Sequence, residues 1–179
     1  FESLRCPVSL IAVNLESSEA VTLSEGRVTD AVRATIALPG LFRPVQRGSQ
    51  LLVDGGLLDN LPADVVRQMG ADIVIAVDVI GGSSTFSAMI KTLRERRYVP
   101  GGLASTFEVL LRSLDIMMKE INQHRLVEAA PEVIIRPAIP VDVSVLLGFT
   151  RAGETIATGE KAALEALPDI RRALEVSVT

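Results

Sequence analysis

The chain has no tryptophan, one tyrosine, one cysteine and one histidine, and aromatic residues fill only 3% of its 179 positions. With 18 Lys and Arg against 22 Asp and Glu, a net charge of −4 leaves no basic surface to go with the missing stacking side chains. Nucleic acid is therefore excluded as a partner. A lone Cys6 cannot close an intramolecular disulfide, and without a Cys/His cluster no metal site is expected. No Gly-x-Gly-x-x-Gly or Walker pattern occurs, so a nucleotide-binding domain is disfavoured and no cofactor is expected. Nor does any apolar run reach the roughly 18 residues of a membrane span. The longest, residues 73–80, is interrupted by Asp78.

What is present is a composition 48% hydrophobic and 22% charged, which suits one globular domain. At this length a chain buries about 70% of the surface that it exposes when unfolded. Short Val/Ile/Leu-rich runs at residues 7–15, 20–23, 51–53, 72–80 and 132–137 read as strands between turn residues. Residues 41–45 read as extended, and 46–50 as a polar turn. Helices are expected at 31–38 with Thr29 or Asp30 as cap, from Pro62 to about Met69 with Gly70 closing it, and from Ser105 or Thr106 towards Pro131. In the last of these, Phe107, Leu110, Leu111, Leu114, Met117, Met118 and Ile121 recur at three- and four-residue steps. Tail helices are expected at about 151–175, one to Leu167 and a short one after Pro168. Strand, helix and strand over 51–80 read as a βαβ unit.

The sharpest local feature is Leu52-Val53-Asp54-Gly55-Gly56-Leu57-Leu58-Asp59-Asn60-Leu61-Pro62. A carboxylate at the end of a buried apolar strand sits where α/β sheets place their active sites. Two glycines after it let the backbone turn and another segment approach closely. That suits a general base at a crevice, although Asp-Gly alone is also an ordinary turn.

Three blocks in order carry a resemblance: Ala31-Val32-Arg33-Ala34-Thr35-Ile36-Ala37-Leu38-Pro39-Gly40-Leu41-Phe42-Arg43-Pro44-Val45, the Asp-Gly-Gly segment with Asn60-x-Pro62, and Gly70-Ala71-Asp72-Ile73-Val74-Ile75-Ala76-Val77-Asp78-Val79. Together they resemble the C-terminal half of a patatin-like phospholipase domain of the bacterial type. Residues 148–159 resemble the closing helix of bacterial members less specifically. The resemblance implies a three-layer α/β/α fold with a largely parallel central sheet. It also implies lipid acyl-ester hydrolysis by a Ser–Asp dyad, with Asp54 in the place of the base and Gly55 and Gly56 completing its motif. Such a dyad needs no histidine, which agrees with His124 reading as a helix-surface residue. Partial burial is expected to raise the Asp54 pKa.

The sequence contains no Gly-x-Ser-x-Gly; its nearest approach, Gly81-Gly82-Ser83-Ser84-Thr85, lacks the closing glycine. In the family the nucleophile elbow and the oxyanion glycines lie upstream of these blocks. Residues 1–179 are thus expected to form a single partial domain, with the nucleophile serine not in this chain and the chain alone inactive. The implied partners are a lipid or acyl-ester substrate and a membrane surface, at a cytoplasmic or membrane-peripheral location. The alternative is a non-catalytic lipid-binding or interaction module on the same scaffold. Among other features, the basic run 91–97 reads as a solvated face or a lipid-headgroup contact, and Met117-Met118 as core or acyl-pocket lining. Asp59, Asn60 and Asp64 read as caps and turns, Asp78 as locally bonded or ligand-binding, and Cys6 as inert packing.

Overall fold

A computed structural model describes residues 1–79, 101–140 and 151–176, with the backbone alone at 101–104. Contacts divide these residues into two compact units, one comprising Phe1–Gly70 with Ile121–Ala129, the other Ala71–Glu120 with Ala130–Thr179.

In the first unit, β1 (Leu10–Asn14) and β2 (Glu19–Leu23) form a hairpin in which Leu10 faces Leu23 and Asn14 faces Glu19. Asn14 makes the turn: its carbonyl accepts from the Ser18 N–H at 2.9 Å and its Oδ1 from the Glu16 N–H at 3.2 Å. A second hairpin joins β3 (Val45–Arg47) to β4 (Gln50–Asp54) through Gly48-Ser49, where Gly48 adopts φ +60°. Two-residue loops of this kind favour glycine because the chain must reverse through left-handed conformations. β4 also pairs with β1, aligning Asp54 with Ala12 and Leu52 with Asn14, so the sheet order is β2-β1-β4-β3.

Helix α1 (Val28–Thr35) supplies Ala31 and Ala34 to a cluster with Ala12, Leu23, Ala37, Val45 and Leu52, flanked by Phe1, Leu10 and Val21. Ile11, Val13 and Val53 alternate with these strand residues, so they face the other side of the sheet, and they are buried too. The two central strands are therefore covered on both faces. A short 3-10 turn (Gly55–Leu57) and helix α2 (Ala63–Gln68) follow β4. Gly70 closes α2 at φ +95°, its N–H donating to the Arg67 carbonyl at 3.0 Å.

In the second unit, β5 (Ile75–Val77) runs parallel to β6 (Val133–Ile135). Helix α3 (Gly101–Ala129) lies between them in sequence, and helix α4 (Ala152–Val176) follows β6. Glu132 accepts the Val74 N–H at 2.7 Å and the Ile135 carbonyl accepts the Asp78 N–H at 2.9 Å, fixing both ends of the strand pair.

The mixed α/β class holds, with several corrections of detail. The parallel pairing expected of the central sheet occurs at β5–β6, whereas every pairing in the four-stranded sheet is antiparallel; β1–β2 and β3–β4 must be so because hairpin loops this short cannot connect parallel strands, and β1–β4 is antiparallel too. β4 and β5 do not close a βαβ unit in one sheet; they belong to different sheets. β5 is shorter than 72–80 and buried on one face only, with Ile75, Val77 and Val79 exposed while Val74, Ala76 and Asp78 are buried.

Helix α1 starts three residues before the expected 31–38, with Arg27 at its N-cap position and no side-chain cap bond, so neither Thr29 nor Asp30 caps it. It ends at Thr35 because Ala37 is needed elsewhere: its carbonyl accepts the Asp54 N–H at 3.1 Å. Gln46 and Arg47 lie in β3 rather than in a turn. α4 is one helix containing Pro168, not two helices divided there. Cys6 is exposed instead of packed.

Candidate active site

Asp54 is the last residue of β4 and shares a sheet face with Ala12 and Leu52, the face against which α1 packs. Its main-chain N–H is held by the Ala37 carbonyl, and its Oδ1 accepts the Gly56 N–H at 2.8 Å, which caps the 3-10 turn. Among the described residues no donor is bonded to Oδ2, so this oxygen is available to take a proton. Burial pushes the Asp54 carboxyl above its ordinary value of 3.8, and the Gly56 N–H offsets part of that rise by stabilising the anion. The expected upward shift is thus present, and its cause is desolvation.

Gly55 and Gly56 have different jobs. A Cβ at Gly55 would run into the Ile11 carbonyl, to which Thr35 Oγ1 also donates at 2.5 Å. Only glycine lets the turn after β4 lie this close to β1. At Gly56 a Cβ would stand 3.0 Å from Asn60 Oδ1 and 3.1 Å from Asp54 Oδ1, so these two side chains flank the same backbone atom. The turn is closed by the Gly55 carbonyl, which accepts from the Leu58 N–H at 3.1 Å and the Asp59 N–H at 2.9 Å.

Asp59 and Asp64 are not simple caps. Arg125, on the part of α3 that belongs to the first unit, donates from Nη2 to Asp59 Oδ2 and to Asp64 Oδ2, each at 2.9 Å. The Asp59 side chain is 1% exposed. Its pKa is raised by burial, opposed by the Arg125 charge and reinforced by the Asp64 charge. Arg125 was not singled out in the sequence, since it lies 66 positions from Asp59 and no local pattern announces the pairing. The one available signal was its place beside Leu126, on the buried side of an amphipathic helix.

Other candidates separate cleanly. Asp78, in the second unit, is buried and paired with Arg136 Nε at 3.3 Å, which favours local bonding over ligand binding. His124 is exposed on α3. Of the methionine pair, Met118 is 8% exposed and Met117 58%, so only the former is packed. Leu110 of the expected apolar stripe is exposed, while Asp115 and Asn122 occupy buried positions on α3. Gly81-Gly82-Ser83-Ser84-Thr85, the basic run 91–97 and residues 148–150 lie outside the described residues. Among the described residues there is no group of three His, Cys, Asp or Glu side chains able to hold a metal ion, and no helix long and apolar enough to cross a membrane.

The family model for patatin-like phospholipase matches residues 8–67, from the entry to β1 into α2, with Asp54-Gly55-Gly56 inside the match. An uncharacterized NTE family protein of Mycobacterium tuberculosis is 34% identical over 177 residues, covering 90% of this chain and 29% of that protein. A second such protein from the same species is 36% identical over 83 residues, 46% of this chain and 23% of its own length. Rat patatin-like phospholipase domain-containing protein 7 is 40% identical over 80 residues, 44% of this chain and 6% of its length. The chain thus spans less than a third of each of these relatives. The family match over the Asp54 turn and the mycobacterial likeness along most of the chain agree: residues 8–67 match the patatin-like phospholipase family, and the chain is similar to its mycobacterial NTE relatives.

Proposed function

We propose that this chain is the base-bearing part of a lipid acyl hydrolase in which Asp54 and a serine form the catalytic dyad. The observation that carries the reading is the Asp54 carboxylate itself, held by the Gly56 N–H at Oδ1 and, among the described residues, without a donor at Oδ2, within the segment that matches the family. In the first step the serine oxygen attacks the ester carbonyl while Asp54 Oδ2 takes its proton, and the tetrahedral adduct collapses to an acyl-enzyme as the alcohol leaves with that proton. Water then attacks the acyl group as Asp54 accepts its proton, and the second adduct collapses with Asp54 returning that proton to the departing serine oxygen, which releases the fatty acid and restores the dyad. A carboxyl raised above 3.8 by desolvation is a stronger base than an exposed one.

The 179 residues contain no Gly-x-Ser-x-Gly, and the reading assigns the serine and the oxyanion donors to sequence N-terminal to Phe1, making residues 1–179 a partial domain. The same absence is what favours the rival reading, a non-catalytic lipid-binding module. The substrate class is a lipid or other acyl ester met at a membrane surface, and the chain alone is inactive.

Hydrolysis of p-nitrophenyl butyrate and of lysophosphatidylcholine vesicles decides between the two. The comparison is between a gene product carrying this chain with its upstream sequence, its Asp54→Asn variant and the 179-residue chain. Turnover only in the extended wild-type protein supports the hydrolase. A folded extended protein that binds the vesicles and hydrolyses neither substrate supports the module.

A further inference from the structure

The dyad reading leaves unexplained why two carboxylates, Asp59 and Asp64, are gathered on one nitrogen of Arg125. Stability is a poor reason. Among the described residues Asp59 Oδ1, Asp64 Oδ1 and Arg125 Nε are buried without hydrogen-bond partners, and such an arrangement rarely repays the cost of taking the charges out of water. What it does supply is position. The Asp59 N–H is bonded to the Gly55 carbonyl, and the N–H of that same peptide unit, from Gly56, donates to Asp54 Oδ1. Asn60, the residue after Asp59, brings its Oδ1 against the same Gly56 backbone. Arg125 is therefore connected to the Asp54 carboxylate by three hydrogen bonds, through the Asp59 residue and the Gly55–Gly56 peptide unit.

We propose that Arg125 is a positioning residue for Asp54: by clamping Asp59 and Asp64 from α3, it holds the 54–60 turn in the one conformation that keeps the Gly56 N–H on Oδ1 and leaves Oδ2 facing the reaction. The proposal rests on the reading of Asp54 as the base. Without the guanidinium the two carboxylates repel, Asp59 moves towards solvent and draws the Gly55 carbonyl with it. Small displacements of this kind are costly in catalysis, with an ångström worth up to about 100-fold in rate.

The test uses the extended protein and steady-state hydrolysis of p-nitrophenyl butyrate. The variants are Arg125→Met, Arg125→Lys, Asp59→Asn and Asp54→Asn, each checked for fold by circular dichroism. Arg125→Met is expected to lower kcat about 10- to 100-fold with KM within about twofold, and to move the acid limb of kcat/KM to higher pH. Arg125→Lys, which restores the charge without the planar fork, should recover part of kcat. A folded Arg125→Met protein with the wild-type kcat and acid limb overturns the proposal. So does a loss of kcat that merely follows the fraction unfolded and leaves the limb in place. If Arg125→Met does not fold, Asp59→Asn carries the test, because it keeps the side chain's shape: a lowered kcat with a displaced limb supports the proposal, and unchanged values overturn it. Asp54→Asn separates the two failures. If it retains activity, the base assignment has failed and takes this proposal with it; if it is inactive while Arg125→Met is normal, only the Arg125 proposal is lost.

Discussion

Gly55 lies against the Ile11 carbonyl so closely that a single added carbon would overlap it. Neither neighbour can give way easily, since both are main chain and the Ile11 carbonyl is also held by Thr35. Gly55→Ala is therefore expected to destabilise the fold by about 3 kcal/mol, the upper end of the usual cost of overpacking. At Gly56 the added carbon meets side-chain oxygens at 3.0 and 3.1 Å, so Gly56→Ala should cost less stability while disturbing Asp54 directly. Urea unfolding of the two variants checks the order, and equal midpoints would contradict it.

The raised pKa of Asp54 has a stability counterpart. A carboxyl whose pKa is higher in the folded state binds its proton more tightly there, so stability falls as pH rises from 3.8 through the folded-state value. Above that value the full penalty of the desolvated charge is present. Asp54→Asn keeps an oxygen for the Gly56 N–H and removes the charge. Its melting temperature should exceed the wild type's at pH 7, with the advantage shrinking as the pH falls towards 3.8. A variant less stable than the wild type at pH 7 would contradict this.

The Arg125 network makes a distinct stability prediction. Arg125→Met leaves Asp59, with its side chain 1% exposed, as a buried charge without its counter-ion. A loss of about 3 kcal/mol at neutral pH is expected. Asp59→Asn in the same background should return part of it, and a double-mutant cycle in guanidinium chloride would measure the coupling. Strict additivity of the two changes would show that the pair is not energetically linked.

On α3 the two adjacent methionines should behave oppositely. Met118→Ala empties a packed position and is expected to cost about 2–5 kcal/mol, whereas Met117→Ala should fall within about 0.5 kcal/mol of wild type. Thermal melts of both settle which face of the helix is inward.

How far the sequence carried the fold depends on the range of the interactions involved. Strands with dense β-branched runs, such as those around Val13 and Val53, and the glycine stops at Gly48 and Gly70 were legible because their signals are local. The Asp54-Gly55-Gly56 turn was legible for the same reason. Strand order was not. Whether β4 pairs with β1 or with β5 depends on contacts between distant residues, and two-residue periodicity is silent about them. The α1 boundary shifted because Ala37 bonds to Asp54, a tertiary demand that overrode capping preference. Asp59 and Asp64 carried turn and capping signals that hid their real partner on another element.

Pro168 illustrates the opposite limit, where a strong local breaker is overruled. It sits exposed inside α4, where it cannot donate to the helix ladder. Pro168→Ala should therefore increase helicity at 222 nm and stabilise α4 by up to about 3 kcal/mol. No change in either quantity would mean that the helix already breaks there.

The most direct test of the central claim, that Asp54 activates a serine, is the rate at which a fluorophosphonate probe labels the extended protein. The probe reports serine activation without depending on which lipid is the substrate. Labelling by the wild type and a rate about 10²- to 10⁴-fold lower in a folded Asp54→Asn variant is the predicted result. Equal labelling of the two proteins would contradict it.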